Sequence, residues 1–198
     1  MTIHNSFRLA TTCSAVAIAL SFPTLLAAQT DAWTMLQAQY IEDLNTLESK
    51  FVDLAGAFPA EDYAWRSMDS VRSISEEFML IVAENYVIPS AWEAAAPTGM
   101  TISTALFSSL PADVTSKEDV VRHVEQSFAY YTATVSALSP ERLHDTISFF
   151  GRERTVNDAL FIITTDMHEH LGKLIASARM RNVVPPWTAR AQQRQGGN

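Results

Sequence analysis

The stretch Thr155–Asn182, TVNDALFIITTDMHEHLGKLIASARMRN, decides the fold. Leu160, Ile163 or Thr164, Met167, Leu171, Leu174 or Ile175, and Ala178 return every three or four positions. That is the period of a helix with one face in a core. Thr155 followed by Asp158 reads as its start and Asn182 as its terminator, with Pro185-Pro186 as a firm stop. Inside it lies Asp166-Met167-His168-Glu169-His170-Leu171-Gly172, whose two histidines and two acids are all potential metal ligands. Residues four apart share a helix face, with Cβ atoms about 5–6 Å apart. Asp166 and His170 can therefore converge on one ion, flanking the apolar stripe on one side. His168, two residues from His170, flanks it on the other, so it is the weaker metal candidate. Stable metal sites need three or more protein ligands, so a partner from another helix is required.

Three more helical patterns precede this one. Trp33, Leu36, Tyr40, Leu44, Leu47, Phe51, Leu54 and Phe58 form a long stripe that Pro59 ends. Its aromatic residues read as core packing. A second helix runs from about Val71 to Ala95, with Ile74, Phe78, Ile81, Val82 and Tyr86 on its apolar face and Pro89 bending or ending it late. Residues 96–115, with Pro97, Gly99, Pro111 and several Ser and Thr, read as a long loop with no more than a short turn of helix. A third helix starts near Ser116, where Thr115 with Glu118, or Ser116 with Asp119, resembles a capping box. It buries Val120, Val121, Val124, Phe128, Tyr131 and Val135. Residues 141–154 read as an extended arm or a hairpin-like turn, with Phe149-Phe150 as a lid or a dimer contact if exposed. The fold class that follows is all-α: an up-down four-helix bundle with a long connection between helices two and three.

The N-terminus reads as an address. One basic residue, Arg8, precedes an apolar run from Leu9 to Leu26, and Ala27-Ala28 precedes Gln29. This is a secretory signal pattern over residues 1–28, which implies an exported, periplasmic or extracellular protein. A signal anchor is the rival, against which stand Pro23, Thr11, Thr12, Ser14 and Ser21. The bundle occupies residues 29–187, and the Gln-, Gly- and Arg-rich residues 188–198 read as a disordered tail. The only cysteine, Cys13, lies in the leader, so the remainder has no disulfide or thiol chemistry of its own. The net charge of −8 disfavours nucleic-acid binding. No second apolar run approaches spanning length, so no stable membrane span remains after cleavage. A small-molecule partner and self-association stay open. There is no phosphate-cradling glycine loop, dinucleotide fingerprint or nucleophile elbow.

Arg72-Ser73-Ile74, Ala83-Glu84-Asn85-Tyr86, His168-Glu169-His170-Leu171-Gly172-Lys173 and Arg179-Met180-Arg181-Asn182-Val183-Val184-Pro185-Pro186 resemble segments of the DinB-like superfamily. The resemblance covers the chain after its leader in helix order. It implies a four-helix bundle with a divalent-metal site at one end, typically of three histidines, one on helix two and two on helix four. Some members are thiol-dependent transferases or isomerases. Here His170 matches the last histidine, Asp166 stands for the one before it, and Leu80 falls where the helix-two histidine belongs. Carboxylate can replace imidazole toward zinc or nickel, but leucine binds no metal. Glu84, one turn beyond Leu80, can supply an oxygen instead; Glu76 and Glu77 lie one turn before it. A site of Glu84, Asp166 and His170 suits zinc, iron or manganese.

Two classes of function remain. One is a metal-dependent enzyme of unassigned reaction, with Tyr86 and Arg72 at the mouth of the site. The other is a metal-free bundle that binds a small ligand or a protein partner, in which Asp166 merely holds the His170 imidazole. His123, beside Arg122 and four residues from Asp119, reads as a surface ion pair or a packing group.

Overall fold

The computed structural model describes the backbone of residues 15–196 and the side chains of residues 32–195. Of the expected leader, residues 1–14 lie outside the described residues, and 15–28 are described only as backbone at the start of the first helix. Among the described residues six α-helices follow one another: α1 (Ala15–Ala57), α2 (Ile74–Val87), α3 (Leu106–Asp113), α4 (Lys117–Ser136), α5 (Val156–Met180) and α6 (Pro186–Gly196). A hairpin of β1 (Thr146–Phe149) and β2 (Arg152–Thr155) precedes α5. No helix among the described residues is long and apolar enough to cross a membrane.

The four long helices bury the stripes expected of them. Leu44, Leu47, Phe51, Leu54 and Phe58 of the first segment meet Phe78, Ile81 and Val82 of α2, Val120, Val124, Phe128 and Tyr131 of α4, and Leu160, Met167, Leu171 and Leu174 of α5 in one core. Each large apolar side chain so buried stabilises the fold by roughly 1.5–3 kcal/mol. Both α1 and α2 pack against α4 and α5. Lys117 Nζ, at the start of α4, donates to the carbonyls of Gly56 and Phe58 at 2.8 Å, capping the end of α1. The rings of Phe58, Tyr63 and Phe78 cluster at that same end, so α2 and α4 begin together and run the same way. The helix directions are thus up, down, down, up. The connection over 88–116 is long because it must carry the chain back the length of the bundle.

That connection is more ordered than its sequence suggests. A 3₁₀ turn, Ile88–Trp92, continues α2 past Pro89, and α3 makes two turns packed on α2 despite an internal Pro111. The 141–154 segment is the hairpin. Phe150 (φ 48) and Gly151 (φ 74) make its two-residue turn in the left-handed region, the geometry that matches strand twist. Phe149 is buried and Phe150 exposed. The tail requires a correction. Residues 188–196, expected to be disordered, are helical in α6, with Trp187 half-buried and Arg190 Nη2 2.6 Å from Asp53 Oδ2 of α1.

Two local devices fix where α2 and α5 begin. Ser73 and Glu76 form a capping box that starts α2 one residue later, and Thr155 and Asp158 do the same for α5. At its far end α5 closes in a Schellman motif. Asn182 (φ 60) is left-handed, with Val183 N–H on Ala178 O at 2.8 Å and Asn182 N–H on Arg179 O at 3.1 Å. Arg181 then binds the buried Asp62 carboxylate through Nε and Nη2, at 2.8 and 2.6 Å, and lies over the Trp65 ring. This pins the end of α5 to the α1–α2 connector.

Candidate metal centre

With the register fixed, α5 runs antiparallel to α2 and lays Asp166 and His170 against Glu84 and Glu77. One ligand atom from each of Glu84, Asp166 and His170 lies within 4.8 Å of the others. His170 and Glu84 are buried, and Asp166 is about one-third exposed. His170 Nε2 is 3.3 Å from Asp166 Oδ2, one turn earlier. Its other nitrogen, Nδ1, is 2.5 Å from Glu77 Oε1. Arg72 Nη1 stands 3.7 Å from the second oxygen of Glu77. Glu84 Oε2 and Asp166 Oδ2 are buried and find no hydrogen-bond partner among the described residues. Buried polar atoms are nearly always paired, and two carboxylates this close beside one imidazole are satisfied either by a proton that Glu84 shares with Asp166 or by a cation held among the three groups. The donor set, two oxygens and one nitrogen, fits a borderline or hard divalent ion.

The electrostatics carry the same mark. Burial, then the neighbouring Asp166 carboxylate, push the Glu84 carboxyl up to about 8, with Arg72 opposing and Glu77 adding to the rise. An unfolded glutamate releases its proton near 4.5, whereas the folded chain holds it until about pH 8. Across that window the folded state binds the extra proton, so the metal-free protein loses stability as pH rises. The slope is at most about 1.4 kcal/mol per pH unit. Urea midpoints of wild type and Glu84→Gln, metal-free, measured at pH 6 and 8, check this. The variant should flatten the decline, and a wild type that gains stability relative to the variant at pH 8 contradicts it.

The other sequence candidates fall elsewhere. His168 requires a correction: it points away from the cluster, half-exposed, with Nε2 2.9 Å from Asp43 Oδ2 on α1. Glu169 pairs on the surface with Lys173 at 2.8 Å. Glu76 is spent on the α2 cap and on Arg66. Tyr86, expected at the mouth, is buried against the Tyr130 ring instead, while Arg72 does stand at the edge of the site. Leu80 is half-buried on the α2 face between Glu77 and Glu84. The His123 imidazole is half-buried, and burial, then Arg122, lower its proton affinity. Sequence reasoning placed Glu77 near the site without giving it a role. Its spacing of seven from Glu84 was the available signal. A cleft of about 280 Å³ is lined by Glu77 together with Arg72, Ser73, Lys173, Ser177 and Met180.

No family model matches the sequence, and no curated protein matches it. Among solved structures, the crystal structure of a DinB-like protein from Bacillus cereus ATCC 10987 matches with a TM-score of 0.63 at 13% identity. The match covers 74% of this chain and 93% of that one. The chain has the DinB-like fold. The expected all-α bundle is therefore met in the fold of a solved structure as well as in the periodicity of the helices. In this DinB-like bundle the clustered ligand atoms sit on α2 and α5, the second and fourth long helices. Leu80 contributes hydrocarbon there rather than a donor.

Proposed function

We propose that the protein binds one divalent cation through His170 Nε2 and one carboxylate oxygen each of Glu84 and Asp166, with zinc, nickel, iron or manganese as the ions that suit the set. The observation that carries this is the clustering of ligand atoms of Glu84, Asp166 and His170 within 4.8 Å of one another, on two carboxylates that each bury an oxygen without a hydrogen-bond partner among the described residues. Three protein ligands leave a position for water or substrate, and an ion so held acts as a Lewis acid or lowers the pKa of a bound water. The chain's own part is to hold the donors in a site that is largely dry, with the partly exposed Asp166 side as the approach. We also propose export, on the pattern of residues 1–28.

The alternative is a metal-free bundle that takes a small ligand or a protein partner. Leu80, an apolar side chain on the ligand-bearing face of α2, favours it. Elemental analysis separates the two. Protein purified without chelator and dialysed against metal-free buffer should retain about one divalent ion per chain. Folded protein that retains no ion, and takes none up from added zinc, manganese or iron(II), overturns the metal proposal.

A further inference from the structure

We propose that Glu77 is the positioning residue of this centre: it fixes the proton of His170 on Nδ1 and turns the Nε2 lone pair toward Glu84 and Asp166. The functional sense of this rests on the metal proposal above; the geometry stands without it. Glu77 and Glu84 are seven residues apart on one face of α2, about 10.5 Å along the axis. The antiparallel α5 sets a single imidazole between them, Nδ1 against Glu77 and Nε2 in the cluster with Glu84 and Asp166. Both members of the Glu77–His170 pair are nearly inaccessible, with side chains 10% and 6% exposed. A carboxylate beside Arg72 accepts hydrogen bonds and does not donate them, so the proton of a neutral imidazole must sit on Nδ1. Nε2 is then an acceptor facing another acceptor, Asp166 Oδ2, at 3.3 Å. Two acceptors so placed repel, and a cation between them would relieve that repulsion. Carboxylate–imidazole–metal relays of this kind hold the ring in place and raise its basicity, and losing the outer carboxylate costs roughly 10–100-fold in metal affinity.

The test uses the full chain with Glu77→Gln and Glu77→Ala, each confirmed as folded by its amide spectrum. Zinc affinity is measured by competition with a chromophoric chelator. The tautomer of His170 is read from imidazole ¹⁵N shifts of metal-free protein in alkaline buffer. The expected results are Nδ1–H in wild type, mixed tautomers in Glu77→Ala, and zinc affinity lowered by about 10-fold in Glu77→Gln and about 100-fold in Glu77→Ala. A proton on Nε2 in wild type overturns the proposal. So does zinc affinity in Glu77→Ala within twofold of wild type. If wild type takes up neither zinc nor manganese nor iron(II), the metal proposal fails and the tautomer alone decides this one. Nδ1–H that turns mixed in Glu77→Ala supports it, and a tautomer indifferent to Glu77 overturns it.

Discussion

His170→Ala is expected to abolish stoichiometric metal uptake, lowering divalent affinity by at least about 100-fold, the upper range for losing an outer-shell partner. The imidazole supplies the one nitrogen of the set and lies between both helices' carboxylates. Its removal leaves Glu84 and Asp166 as the remaining two donors, too few to complete a coordination sphere. The same change strips the buried Glu77 carboxylate of its 2.5 Å partner, leaving Arg72 at 3.7 Å. Leaving a buried acceptor without its donor costs roughly 1–3 kcal/mol, so the variant should also unfold at lower urea. His170→Gln keeps an amide donor for Glu77 and separates the two effects. It should recover much of the stability and none of the metal binding. Isothermal titration with zinc or manganese, alongside urea melts, reads both. Unchanged metal affinity in either variant would place the ion elsewhere.

Leu80→His is expected to act in the opposite direction and tighten divalent binding by at least about 10-fold. Leu80 is three residues after Glu77 and four before Glu84, so its side chain shares their face of α2. It is also the position where the family resemblance places a histidine. A fourth donor would convert an open three-ligand site into a closed one, the arrangement of structural rather than catalytic zinc. The gain is offset in part because a half-buried apolar side chain gives way to a polar one, so metal-free stability should fall modestly. Metal titration of the variant checks the direction. Affinity equal to or weaker than wild type would mean that position 80 does not reach the cluster.

The helices were legible because burial and period agree. Phe51, Phe78, Phe128 and Met167 all stand where the three- and four-residue steps put them, and all are buried. The convergence of Asp166 and His170 was legible for the same reason, as one turn of one helix. The opposed direction of His168 followed from its spacing of two. The Glu77–His170 contact was not legible, because it depends on the register of α2 against α5. Arg181 and Asp62 help hold that register through a tertiary contact that no local pattern encodes. The tail was misread because its polar composition hides good helix formers. Ala189, Ala191, Gln192, Gln193 and Arg194 extend a helix that Pro186 can begin, and Trp187 and Arg190 dock it on α1. Pro111 hid α3 in the same way, since the turns around it are held by packing on α2 rather than by propensity.

Anomalous diffraction from zinc-loaded crystals, recorded at the zinc absorption edge, tests the central claim most directly. It should show one strong peak per chain about 2.0–2.2 Å from His170 Nε2 and from one carboxylate oxygen of both Glu84 and Asp166. A peak bound to other side chains, or a fully ordered cluster with no peak at millimolar zinc, would contradict it.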